Sequence, residues 1–285
     1  IVHWHGLNVP AIMDGHPRDH IEPGQSKTYA FPVINRNGTY FFHPHTDMLT
    51  AEQVYRGMAG LFIVEDPEEQ ALALPRGEYD VPIVIQDRLF TADNQFDYNI
   101  TGMIGLLGTR ILVNGFADYV HPCGTRVYRL RFVNGSNARI YKLAWDDGSP
   151  MIVIGSDAGL LPAPLALPYL TLAPGERAEV WADFRAKPPG SEVVLKSLEF
   201  TGAAGSAGPL RQGAPFDVMK FRIEYADSDP LVLPSVLTPI TRHRPEDAVN
   251  WNNPRVFSIA MSNGQFTLNG RVFDMNAVAP DEIVR

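Results

Sequence analysis

The chain has a single cysteine, Cys123, in 285 residues. One thiol excludes an internal disulfide framework and any cysteine-rich zinc site. No apolar run approaches the ~18–20 residues that span a bilayer, so no membrane span is expected. Positive charge is also short: 24 Lys+Arg face 32 Asp+Glu, a net charge of −8. That balance argues against a nucleic-acid partner, whose phosphates need a basic surface. Helical periodicity is scarce, the one candidate being residues 47–58. No signal peptide is visible, and the first residues already read as the interior of a fold. What remains is an ordinary globular composition, 45% hydrophobic and 20% charged, with 24 Gly and 24 Pro. It fits many short strands joined by turns.

Short β-rich runs stand at residues 28–34, 39–42, 60–64, 81–86, 126–134, 142–145, 151–154, 179–184, 192–198 and 219–225. Strands this short at this spacing predict β-sandwiches or barrels. Two internal echoes suggest the period. Pro23-Gly24-Gln25 returns as Pro174-Gly175-Glu176, and 111–115 (ILVNG) returns as 266–270 (FTLNG). Each ties a turn-forming pair to a strand, as a repeated β-unit requires. A period of this length predicts a partial first domain over 1–70, a complete second over 77–226, a Pro-rich linker over 227–253 and the start of a third domain over 254–285. A flexible loop is expected at 201–215 (TGAAGSAGPLRQGAP).

Histidine is the informative residue. Four of the 8 His form two His-x-His pairs, His3-Trp4-His5 and His43-Pro44-His45. Chance placement would give about 0.2 such pairs, counted as any pattern must be against its background. In a strand, residues i and i+2 point to one face, ~6.6 Å apart. Converging imidazoles can then ligate neighbouring metals, and without cysteine the donor set favours copper or zinc. His16 and His20 sit in a polar turn and are expected to face solvent. His121 and His243 stand alone in loops, and Cys123 lies in the turn 121–124, where it is read as structural. Trp4, Trp145, Trp181 and Trp251 are read as core or edge residues.

At the paired histidines the sequence becomes recognisable. Residues 1–10 (IVHWHGLNVP) and 38–67 (GTYFFHPHTDMLTAEQVYRGMAGLFIVEDP) resemble the first-domain copper motifs of multicopper oxidases. The nearest branch is that of three-domain bacterial laccases, spore-coat and copper-efflux oxidases and bilirubin oxidase. The likeness continues through 80–90 (DVPIVIQDRLF), 128–139 (YRLRFVNGSNAR), 154–161 (IGSDAGLL), 172–184 (LAPGERAEVWADF) and 266–276 (FTLNGRVFDMN).

The resemblance implies all-β, cupredoxin-like Greek-key sandwiches. It implies a laccase-like enzyme that couples one-electron oxidation of phenolic or similar organics to reduction of O2 to water. By motif, His3 would bind a type 2 copper, and His5, His43 and His45 a type 3 pair. Asp14 matches an acidic residue that organises water and protons near the cluster. The family's third domain supplies four more cluster histidines and the type 1 copper ligands. None is present here, so the chain reads as truncated at both ends, with half of the cluster ligands. The missing segments, possibly as a separate chain, would be partners alongside O2 and a small organic or metal-ion reductant. The second-domain counterpart of His-Trp-His reads Ile154-Gly155-Ser156-Asp157 and should hold no metal. The 8 Met are scattered, which favours an organic reductant over a cuprous ion. The family implies an exported protein. Two rival readings are a copperless structural relative on the same fold and a simple copper-binding module.

Overall fold

The computed structural model describes residues 1–100, 105–201, 210–272 and 274. It is nearly all β. Backbone contacts divide the chain into two compact units, 1–239 and 240–285.

The first unit opens with a small antiparallel sheet of β1 (Val2–His5), β2 (Gly38–Pro44) and β3 (Gly60–Val64), with β2 central. Alternation gives it two chemically different faces. One carries Trp4, Tyr40, Phe42 and Phe62; Tyr29 and Phe31 pack edge-on against Trp4. Gly60 is glycine because a Cβ there would sit 2.5 Å from the Phe42 ring. The other face carries His3, His5, Phe41 and His43. The run 28–34 is not a strand: Pro32 cannot donate to a ladder, and Tyr29 instead accepts the Val2 backbone N–H on its hydroxyl, 2.8 Å away. The helix expected over 47–58 is a short α1 (Thr50–Tyr55), and α2 (Pro67–Gln70), capped by the Asp66 carboxylate, leads out of the sheet.

A larger sandwich follows. Its strands are β4 (Asp80–Arg88), β5 (Arg110–Val113), β6 (Phe116–Ala117), β7 (Val120–Gly124), β8 (Val127–Asn134), β9 (Tyr141–Trp145), β10 (Met151–Ser156), β11 (Gly159–Leu167), β12 (Leu170–Leu172), β13 (Arg177–Asp183), β14 (Glu192–Ser197) and β15 (Phe216–Tyr225). They form a seven-stranded sheet, β11-β10-β13-β8-β4-β5-β6, facing a five-stranded one, β12-β9-β14-β15-β7. Leu130, Phe132, Val180, Leu195 and Phe221 lie in the core between them. β4 with β8 and β7 with β15 pair in parallel, the crossovers of a Greek-key sandwich.

The outer face of the seven-stranded sheet positions the site. β8 is buried along all eight residues because both of its faces are covered. Leu130 and Phe132 point into the sandwich, while Arg129 and Arg131 point at the small sheet. Arg129 donates to Glu179 Oε2 and Glu69 Oε1, at 2.6 Å each. Arg131 donates to Asp80, to Glu179 Oε1 at 2.8 Å and to Thr39 Oγ1 at 3.0 Å. Thr39 Oγ1 in turn donates to Glu179 Oε1 at 2.8 Å. This charged layer joins β2, α2, β8 and β13, and every strong group in it is paired. Backbones also come close: a Cβ on Gly38 would lie 2.8 Å from Gly159 Cα.

Two further placements differ from expectation. His121 and Cys123 lie on β7 rather than in a loop or turn, held by the parallel ladder with β15. Burial pushes the Cys123 thiol up to about 12. The first part of the stretch read as a linker is packed on the sandwich instead. Leu231, Leu233 and Leu237 join a cluster with Leu74, Val127 and Trp181, and Asp227 and Asp229 bond Arg126 and the Val127 N–H. Of the loop expected at 201–215, residues 202–209 lie outside the described residues.

The second unit contains a hairpin, β16 (Ile259–Ser262) with β17 (Gln265–Leu268). Its echo of the sandwich extends to conformation. Asn114-Gly115 and Asn269-Gly270 both adopt positive φ, 51° and 85° against 51° and 77°, as a tight hairpin turn demands. Of the expected third-domain stretch 254–285, residues 273 and 275–285 lie outside the described residues.

Candidate metal centre

β1 and β2 are in antiparallel register with His3 directly opposite His43 and His5 opposite Phe41. This register carries the site. It brings His3, His5 and His43 onto one face, with one ligating nitrogen from each lying within 4.8 Å of the other two. His45, just past β2, completes the group, its ring 5.3 Å from that of His3 and 6.1 Å from that of His43.

The tautomers follow from the neighbours. His3 Nδ1 lies 2.9 Å from the Asp14 carbonyl oxygen, and His43 Nδ1 lies 2.9 Å from the Pro44 carbonyl oxygen. A carbonyl only accepts, so both Nδ1 atoms carry the proton and both Nε2 lone pairs are left for a ligand role. His5 Nδ1 then donates to His43 Nε2 at 3.2 Å, a bond that a metal taking that lone pair would replace. His45 Nδ1 is buried and has no hydrogen-bond partner.

Asp14 reaches the site from the loop after β1. The turn of 3₁₀ helix Ala11–Met13 ends at Asp14, and Gly15 lies so close to β1 that a Cβ would sit 2.1 Å from Val2 O. The Asp14 carboxylate comes within 3.1 Å of His3 Nδ1. His20 is exposed and pairs with Glu22. His16 is half-buried, its Nδ1 accepting the Arg18 N–H.

Burial is the main electrostatic influence. It draws His5 down to about 4, helped by the Arg177 guanidinium and then by the neighbouring imidazoles. It lowers His43 as well, against the opposing hydrogen bond to Pro44. Both rings are therefore neutral at pH 7, the form that binds a metal. Beyond them opens a cavity of about 510 Å³ between the small sheet and the sandwich, lined by Phe41, Val54, Leu61, Val84, Val133 and Asn134 among others. Phe41 borders both this cavity and the cluster. Its ring stacks on His5 at 4.3 Å and on His43 at 5.2 Å.

The structure brings together the four histidines singled out from the sequence and places Asp14 beside His3. Sequence reasoning missed the supporting residues, Phe41, Thr39, Gly175 and Arg177. The available signal was the Pro-Gly echo, since Gly175 is the wall beside His5: a Cβ there would lie 3.5 Å from His5 Cε1.

A β-sandwich chain with a small sheet presenting an all-imidazole cluster defines a cupredoxin-like metalloprotein class. The donor set fits copper: imidazoles only, neutral, oriented by carbonyl acceptors, with one buried nitrogen unpaired. The multicopper oxidase family pattern matches residues 1–69. The chain is 34% identical over 243 residues to a laccase of Bacillus subtilis (strain 168), covering 78% of this chain and 46% of the laccase. It is 38% identical over 192 residues to the cell division protein FtsP of Escherichia coli (strain K12), covering 67% of this chain and 40% of that protein. The structure is similar to that of the McoA multicopper oxidase from the hyperthermophile Aquifex aeolicus. The TM-score is 0.84 at 34% identity, over 95% of this chain and 59% of that one. The chain belongs to the multicopper oxidase family, and it spans about half the length of the curated relatives it matches.

Among the described residues no helix is long and apolar enough to cross a membrane.

Proposed function

We propose that this chain supplies half of the oxygen-reducing copper site of a laccase-like multicopper oxidase. The observation that carries the reading is the convergence of His3, His5 and His43 within 4.8 Å, with His45 beside them. In this assignment His3 serves a type 2 copper, and His5, His43 and His45 a type 3 pair. The remaining cluster ligands and the type 1 copper ligands come from segments outside this chain, as part of the same polypeptide or as a separate one. In domain terms the chain is a partial first cupredoxin domain (1–70), a second domain without copper (77–226) and the start of a third (254–285).

Copper held there would supply the one-electron chemistry that couples oxidation of a phenolic or similar organic, or of a metal ion, to four-electron reduction of O2 to water. The chain's own residues do the rest. The Asp14 and Pro44 carbonyls fix the His3 and His43 rings with Nε2 inward. Burial keeps His5 and His43 unprotonated. The Asp14 carboxylate, part-exposed beside His3, is placed to pass protons between solvent and the site. Export, to the periplasm, cell surface or medium, follows the family.

The test is a Cu(II) titration of the full chain followed by electron paramagnetic resonance. Saturable copper binding that His43→Ala abolishes is expected. In the complete protein, O2 uptake driven by a phenol should appear and be lost in the same variant. A second reading rests on the 38% identity to the cell division protein FtsP: a structural relative on the same fold without oxidase activity. A chain that takes up no copper at micromolar concentration would select it.

A further inference from the structure

We propose that Arg177, together with Thr39, is the positioning residue of the histidine cluster: β13 of the sandwich, which carries none of the four histidines, sets where the imidazoles stand. The proposal rests on the metal-centre reading above.

Arg177 is 5% exposed, yet its carboxylate partner, Asp157, is half-exposed. Most of its donors are spent on backbone. Nε donates to Thr39 O on β2 at 3.0 Å, Nη1 to Gly175 O at 2.9 Å and Nη2 to Asp157 O at 2.8 Å. One side chain therefore ties together β2, the Pro174–Gly175 turn and the bend after β10. Of these, β2 carries Phe41, whose ring stacks on both His5 and His43, and a Cβ on Gly175 would lie 3.6 Å from that ring. The guanidinium lies 5.7 Å from the Phe41 ring. It also abuts the residue after His5, since a Cβ on Gly6 would sit 2.9 Å from Nη2. Arg177 thus bonds the strand that carries His43 and abuts the residue that follows the strand carrying His3 and His5.

Thr39 provides a second anchor on the same strand. Its hydroxyl lies between Glu179 and Arg131, and Thr39, Phe41 and His43 follow one another on one face of β2. With Arg177 on the Thr39 carbonyl and Glu179 on its hydroxyl, the strand can neither slide nor tilt without breaking buried charge-assisted bonds. Lysine can replace this arginine only in part. Its ammonium is a point donor that does not span three carbonyls.

The experiment compares wild type, Arg177→Met, Arg177→Lys and Thr39→Val in the full chain, with Arg185→Met as an exposed control. Cu(II) affinity, the copper hyperfine splitting, the melting temperature and the imidazole ¹H–¹⁵N spectrum of the metal-free chain are recorded for each. Arg177→Met should weaken Cu(II) binding about tenfold, the scale of losing a ligand-orienting partner. It should change the hyperfine splitting and move the His5 and His43 ring signals while leaving His243 in place. Arg177→Lys should restore part of the affinity, Thr39→Val should show a smaller change of the same kind, and Arg185→Met none. A wild-type affinity, splitting and ring spectrum in a folded Arg177→Met protein would overturn the proposal. If that variant does not fold, the same result in Thr39→Val overturns it. A wild type that takes up no Cu(II) defeats the metal-centre reading instead, and the ring spectra of the metal-free variants then decide the positioning proposal alone.

Discussion

The β1–β2 pair of the small sheet and the β10–β13 pair of the seven-stranded sheet use polarity in opposite ways. In the first, His3 faces His43 across the ladder, and nitrogen lone pairs converge without a protein partner for each. In the second, the segment Ile154-Gly155-Ser156 carries no histidine, and Gly155 faces Glu179. A Cβ on Gly155 would lie 3.1 Å from the Glu179 carboxyl carbon. The glycine leaves room for a carboxylate that two arginines and a threonine fully satisfy. One site keeps unpaired donors ready for a metal; the other spends its polar groups on joining the two sheets. Local rules of satisfaction are broken where function is expected and kept where structure alone is served.

Substitutions can break this contrast from either side. The largest effect is expected at Glu179. Glu179→Gln removes the charge shared by Arg129 and Arg131 and should destabilise the fold by about 3–5 kcal/mol, read as a lower urea midpoint at unchanged slope. Next is His43→Ala. It should weaken Cu(II) binding by at least about 100-fold, beyond what loss of an orienting partner does. The metal-free stability should move less than it does for Glu179→Gln, because what is lost is the stacking on Phe41 and the neutral hydrogen bonds to His5 and Pro44 rather than a buried charge. A destabilisation as large as that of Glu179→Gln would erase the distinction between the two sites.

Acid sharpens the contrast further. A histidine whose pKa is lowered by folding binds fewer protons folded than unfolded, so its contribution is present at neutral pH and lost as pH falls from about 6.5 toward 4. With His5 near 4, bound copper should survive to about pH 5 and leave nearer pH 4 than 6.5, as followed by copper absorbance or equilibrium dialysis. Release centred at 6.5 would show that the rings are not desolvated. The smallest effect is expected for Asp14→Asn. The backbone carbonyl that orients His3 remains, and the part-exposed carboxylate contributes about 0–1 kcal/mol. Copper affinity should therefore change less than about fivefold, while O2 reduction in the complete protein slows.

The paired histidines were legible because strand alternation writes them into the sequence. His3 and His5, like His43 and His45, are two apart, and that spacing has one geometric meaning in a strand. The turn echoes were legible for the same reason: Asn114-Gly115 and Asn269-Gly270 demand a backbone shape that few other pairs adopt. Residues 28–34 misled because they are β-rich, yet Tyr29 and Phe31 serve by stacking on Trp4 rather than by pairing. The 128–132 run (YRLRF) alternates charge and apolar residues, the mark of a half-exposed strand, yet both of its faces are covered. Nothing local distinguishes an arginine facing water from one facing Glu179. Arg177 was illegible on the same ground, its role resting on a carbonyl 138 residues away.

That separation also orders events in time. β2 leaves the ribosome about 140 residues before the strand that anchors it, a lag of roughly 7–30 s at ordinary rates of translation. Throughout that interval the histidine pairs are made but not yet placed. Contacts this distant in sequence close late in folding. The nascent chain thus displays paired imidazoles before it owns a binding geometry, and any metal loading must wait until the sandwich has folded around them.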